Sequence, residues 1–110
     1  MALSFLLRRI GMELNAAFAL ALKDLRMRRK LTHHSFFGGT SRAYMTLLEK
    51  GTRCPTIAKI EDLSAVLDIH PVSLLVECYL RKNPDEDLKC ILERVKEDLA
   101  FDLSSSHTDK

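Results

Sequence analysis

One short stretch has both ends fixed by its own chemistry: residues 41–51, Ser-Arg-Ala-Tyr-Met-Thr-Leu-Leu-Glu-Lys-Gly. Ser41 is a favoured N-cap, because its hydroxyl can accept from a backbone N–H that the first turn leaves orphaned. Gly51 stands where a helix end wants a residue at positive φ. A helix confined between them has about two and a half turns at 3.6 residues each. Tyr44, Leu47 and Leu48 recur at i, i+3, i+4 and define one inward face. Arg42, Ala43 and Thr46 then point elsewhere, near the N-terminal end. A helix this short needs neighbours to hold it, so the rest of the chain must supply them.

The same reading finds helices on either side. Leu14, Phe18, Ala21, Leu22 and Leu25 mark one from about Glu13 to Arg29, with Lys23, Arg26, Arg28, Arg29 and Lys30 crowded at the end where cations suit the helix dipole. Thr32 caps a short helix over about 33–37, and Gly38-Gly39 makes a turn. Thr56 caps a helix over about 57–67, in which Ile57, Ile60, Leu63, Ala65 and Leu67 include an apolar face. Pro71 is a favoured first helical residue and opens a helix to about Leu80. Asn83 as cap, Pro84 at N1 and the acidic run Asp85-Glu86-Asp87 start a last helix, with Leu88, Ile91, Leu92, Val95 and Leu99 as its stripe. Nothing alternates with period two for long. The expected fold class is all-α.

This divides the chain into an N-terminal extension (1–12), a helical domain (13–80), a C-terminal helix (81–103) and a tail (104–110). The tail lacks apolar residues and is expected to be disordered. Leu3, Leu6, Leu7 and Ile10 share a helical face in the extension, but an upstream start codon before Met12 explains that segment equally well.

Charge is distributed unevenly. Residues 23–53 carry eight Lys or Arg against Asp24 and Glu49, a surplus of six. Residues 54–110 carry seven against twelve Asp or Glu, a deficit of five. A basic segment followed by an acidic one suits a polyanion-binding half and a half that meets solvent or a partner; random patchiness is the plain alternative. Three cysteines, Cys54, Cys78 and Cys90, lack CxxC spacing and are expected to be small buried hydrophobes. The apolar start is broken by Arg8-Arg9, and no run reaches the ~18 apolar residues of a membrane span. These features point to a reducing cytoplasm and no membrane.

Four pieces in order carry a resemblance: Leu-Arg-Met-Arg-Arg-Lys-Leu-Thr (25–32), the 41–51 stretch, Pro-Thr-Ile-Ala-Lys-Ile (55–60) and Leu-Asp-Ile-His-Pro-Val-Ser-Leu-Leu (67–75). Over about residues 13–80 the chain resembles the Cro/repressor (XRE) family of bacterial helix-turn-helix regulators. The resemblance implies a five-helix DNA-binding domain, here followed by a C-terminal helix, that works as a dimer on promoters. The family pattern usually has two more residues between the positions of Leu31 and Ser41. It also has Gln and an acidic pair where this chain has His33-His34-Ser35.

On that resemblance, the 41–50 helix reads the major groove of a palindromic operator. Arg42 holds the position that most often faces bases, and its planar fork can donate to guanine O6 and N7 together. Thr46 can offer a hydrogen bond or a methyl contact, and Ala43 can meet a thymine methyl. Phosphate contacts, which hold DNA without reading it, are expected from Thr32 and His33 at a helix N-terminus and from Ser41, Tyr44, Lys50, Thr52 and Arg53. Arg26 and Glu49 match a family ion pair joining two helices. The stripe of the last helix is expected to meet its symmetry mate, setting two reading helices about one DNA turn (~34 Å) apart; folding back on the domain is the alternative.

The other function classes have less behind them. Adjacent histidines on a helix point about 100° apart, and no Cys or carboxylate follows His33-His34 at ligand spacing, so no metal site is expected. No nucleophile–base pair or phosphate-cradling glycine loop suggests an enzyme, and no cofactor is implied. A protein-interaction module, an antitoxin-like subunit using its acidic half, is the second reading, with DNA binding secondary.

Overall fold

The structure is a computed structural model that describes the backbone of residues 13–108 and the side chains of 13–100. The N-terminal extension, with its Leu3–Ile10 face, and the last two residues lie outside the described residues. The fold is all-α. Among the described residues five α-helices follow one another: α1 (Leu14–Arg28), α2 (Arg42–Lys50), α3 (Ile57–Leu67), α4 (Pro71–Lys82) and α5 (Leu88–Thr108). A 3-10 helix, His33–Phe36, lies between α1 and α2. Among the described residues there is no strand.

α1 is the central element, packing on α4 along one side and on α2 along another. Its Ala17, Phe18, Ala21 and Leu22 are buried, with Leu25 at the edge. Met45 and Leu48 from α2, Ile60, Leu63 and Leu67 from α3, Leu74 and Cys78 from α4 and Phe36 from the 3-10 helix complete one core. Ser64 is fully buried within it, and its hydroxyl has no hydrogen-bond partner among the described residues.

Several helix ends follow from their local residues. Thr56 Oγ1 accepts from the Lys59 N–H at 3.1 Å and starts α3. His70 Nδ1 accepts from the Val72 N–H at 3.0 Å just ahead of Pro71. α3 ends on Asp68 at φ 60°, a left-handed conformation that L-residues adopt at some cost.

Three expectations need correction. α5 begins at Leu88, four residues later than Pro84. Instead, the Glu86 N–H bonds the Asn83 carbonyl at 2.9 Å, closing a turn with Pro84 at its second position. Asp87 then caps the helix, its Oδ1 accepting from the Cys90 N–H at 2.9 Å. Proline's φ suits either arrangement. Second, the helix continues to Thr108 where a disordered tail is expected from Ser104; residues 104–108 contain no Gly or Pro to break the backbone ladder. Third, of the three cysteines only Cys78 is buried, while Cys54 and Cys90 are exposed. Burial raises the Cys78 thiol above its ordinary value.

Among the described residues no single helix is long and apolar enough to cross a membrane. The α3–α4 pair reaches that composition only together, across a bend of 101°.

Candidate nucleic-acid interface

α2 is fixed at both ends. Ser41 Oγ accepts from the Tyr44 N–H at 3.1 Å. Gly51 sits at φ 77°, while the Gly51 and Thr52 N–H groups return to the Leu48 and Leu47 carbonyls. A Cβ at Gly51 would come within 3.3 Å of Ala16 Cα. Thus the end of α2 lies close against the first turn of α1, and a side chain at Gly51 would require a shift of a few tenths of an ångström.

The inward face differs in phase from the expected Tyr44/Leu47/Leu48 set. Met45 and Leu48 are fully buried, while Tyr44 and Leu47 are half-buried. Five apolar residues crowd this nine-residue helix, so spacing alone does not fix which face turns inward. The opposite face carries Arg42 and Ala43, both exposed, and Thr46, half-exposed. Arg42 has no ionic partner among the described residues, so its guanidinium is available to a ligand. Thr46 Oγ1 donates to the Arg42 carbonyl at 3.1 Å. Its hydroxyl hydrogen is therefore used within the helix, leaving the methyl and the oxygen lone pairs to face outward.

Behind this face lies an ion cluster. Glu49 receives Arg26 in two-pronged fashion, Nε to Oε2 at 2.7 Å and Nη2 to Oε1 at 3.1 Å. Arg26 Nη1 also donates to the Leu31 carbonyl at 2.9 Å. α1, the chain entering the 3-10 helix and α2 thereby meet on one guanidinium. His33 joins them, with Nε2 at 3.0 Å from Glu49 Oε1. Burial opposes the charge on Glu49, but the hydrogen bonds and positive charge of Arg26 and His33 outweigh it and hold the carboxyl below its ordinary value of 4.5.

This geometry redirects His33. Its ring bridges to Glu49 and does not stand free for a phosphate. Thr32 is exposed at the start of the 3-10 helix, where its N–H meets Ser35 Oγ at 3.3 Å. Ser41 is committed as a cap, and Tyr44 lies partly against the core. Lys50, Thr52 and Arg53 are exposed at the far end of α2, where Thr52 Oγ1 donates to the Leu47 carbonyl at 3.2 Å. Arg26, Thr32, His33, His34, Phe37 and Arg42 line an open cleft of about 460 Å³ beside the first turn of α2. His34 and Phe37 meet edge to face there, with ring centroids 5.0 Å apart. The expected base-reading and backbone-holding positions therefore occupy α2 and its two flanks, apart from the inward-turned His33.

Lys59 of α3 was not legible as a site residue. Its Nζ reaches back to the turn before α2, at 2.6 Å from the Gly39 carbonyl and 3.1 Å from Thr40 Oγ1. The sequence separation is 20 residues, so no local spacing signals it.

The stripe of α5 is a separate surface. Leu88, Leu92, Val95 and Leu99 are each between 41% and 55% exposed, at steps of four, three and four. Ile91 is half-buried, apart from that exposed row. An apolar groove of about 350 Å³ runs between α4 and α5, lined in part by Val72, Val76, Leu80, Leu88 and Leu92.

No protein-family model, no curated protein and no solved structure matches this chain.

Proposed function

We propose that the chain is a sequence-specific, DNA-binding transcriptional regulator of the Cro/repressor-like helix-turn-helix kind, working in the bacterial cytoplasm as a homodimer. The observation that carries this reading is the exposed Arg42, without an ionic partner among the described residues, on the first turn of α2, a helix capped at both ends and tied to α1 through Glu49–Arg26. A base-reading side chain must present its donors from a rigid support, and a bidentate Arg–guanine contact discriminates by about 1–3 kcal/mol. Lys50 and Arg53 supply phosphate contacts from the other end of α2, and Thr32 does so from the opposite flank. The α5 stripe supplies the two-fold contact that pairs two reading helices.

The test is binding to DNA taken from immediately upstream of the chain's own gene, beside a scrambled duplex, at several salt concentrations. A regulator binds the native piece tightly and the scramble weakly. Arg42→Ala is expected to lose roughly ten- to a hundredfold on the native piece, which is that 1–3 kcal/mol converted at 1.4 kcal/mol per decade, with little change on the scramble. Equal, salt-dependent binding to both duplexes would leave only a basic surface acting on polyanions.

The apolar groove between α4 and α5 favours a second reading, a protein-interaction module with DNA binding secondary. Co-purification of a stoichiometric partner protein would support it.

A further inference from the structure

The turn 37–40 joins the 3-10 helix to α2 and so determines how α2 is presented. Little in its own composition holds it. A Cβ placed on Gly38 or Gly39 would meet nothing within 4 Å, so packing does not wedge this segment. Its own backbone contributes three bonds, from the Phe37 N–H to the His34 carbonyl at 3.1 Å and from the Gly39 and Thr40 N–H groups to the Phe36 carbonyl at 3.2 and 2.9 Å.

Lys59 supplies what is missing. Its Nζ donates to the Gly39 carbonyl at 2.6 Å and to Thr40 Oγ1 at 3.1 Å, the latter residue being buried. The same ammonium lies 5.4 Å from the centre of the Tyr44 ring, on the first turn of α2. It therefore touches the turn and the helix that the turn presents.

The placement runs against local preference. Lys59 is the third residue of α3, and cations are disfavoured at a helix N-terminus by the dipole. Among the described residues Asp62, with Oδ2 at 3.9 Å, is the one anionic partner. A lysine kept in that position, with its ammonium turned back onto a carbonyl and a hydroxyl, makes contacts that an apolar side chain cannot replace.

We infer that Lys59 is a positioning residue that fixes the orientation of α2 by fastening the 38–40 turn to α3, and through it governs base discrimination. The inference rests on the DNA-binding reading above, and its test separates the two.

Lys59→Met and Lys59→Arg are compared with the wild type. Far-ultraviolet circular dichroism and thermal melting establish that each is folded. Amide hydrogen exchange is followed at Gly39 and Thr40 without DNA, and binding is titrated on native and scrambled duplexes. The expected result for Lys59→Met is exchange at Thr40 about tenfold faster, a loss of about tenfold or more on the native duplex, and unchanged affinity and salt slope on the scramble. Lys59→Arg, which keeps the donors, restores the discrimination. Unchanged exchange in Lys59→Met would overturn the fastening. Wild-type discrimination in that variant, or parallel loss on both duplexes with a reduced salt slope, would overturn the positioning role, the latter making Lys59 a phosphate contact. A wild-type protein with no preference for either duplex would sink the DNA reading, and with it the role in discrimination, while the exchange result still decides the fastening.

Discussion

Glu49 is held by a guanidinium and an imidazole and is largely removed from water, its side chain 8% exposed. Its carboxyl is depressed below 4.5, so the ionised form is favoured in the folded state. The sign of the linkage follows. This contribution to stability is fully present above the ordinary carboxylate value and is lost as pH falls through the depressed folded value. Glu49→Gln is expected to be less stable than the wild type by about 1.5–3 kcal/mol at pH 7, the range for hydrogen bonds to charged groups. That gap should narrow as pH falls from 4.5 through the depressed folded value, because the carboxyl is protonated first in the unfolded chain and then in the folded one. Urea unfolding at a series of pH values reads this directly, and a gap independent of pH would refute it. The Arg26–Glu49 partnership was legible only through the family resemblance, since 23 residues separate the two. His33 was legible as a polar residue at a helix start but not as the third member of the cluster. The turn of the chain between 29 and 32 decides where its ring points, and that turn depends on Lys30 at φ 58°, which no residue type announces. The cysteines show the same limit: composition groups them, and only their surroundings separate Cys78 from Cys54 and Cys90.

For a whole helix, chemistry at the ends was more informative than apolar spacing. α3 starts at Thr56 and α2 runs between Ser41 and Gly51 as their capping residues indicate, because a cap is a contact between near neighbours in sequence. The phase of α2 was not legible, since Tyr44, Met45, Leu47 and Leu48 allow more than one inward face. The start of α5 was misplaced because Asn83-Pro84 and Asp87 are both good initiators four residues apart. The winner is the one whose carboxylate reaches a free N–H. The end of α2 gives a sharp prediction. Gly51→Ala places an L-residue in the left-handed region, costing about 1–2 kcal/mol, and also presses its Cβ toward Ala16 Cα. Denaturant unfolding is expected to show a loss at least that large. A neutral result would mean that α2 ends differently in solution.

Across the whole molecule, α1 to α4 share one core, whereas α5 rests lightly on α4 and leaves its stripe uncovered. Four large apolar residues in a row on one helix, each at least 41% exposed, form a surface that favours association. On the proposed homodimer, Leu92→Glu is expected to shift the protein from dimer to monomer in sedimentation equilibrium while leaving the circular dichroism of α1–α4 intact. A wild-type chain that remains monomeric at tens of micromolar would remove α5 as the seam. The stripe was legible in the sequence because helical spacing does not depend on what lies opposite; what covers it is not written in that spacing. The turn ahead of α2 has a consequence of a different kind. Gly38 and Gly39 are not at positive φ and have open space where side chains would be. Neither glycine is there by steric necessity, so both are open positions in the turn that follows Phe37, a residue lining the Arg42 cleft. Selection, or an engineer, can place a Cβ at either position without a clash and so change the chemistry of this edge.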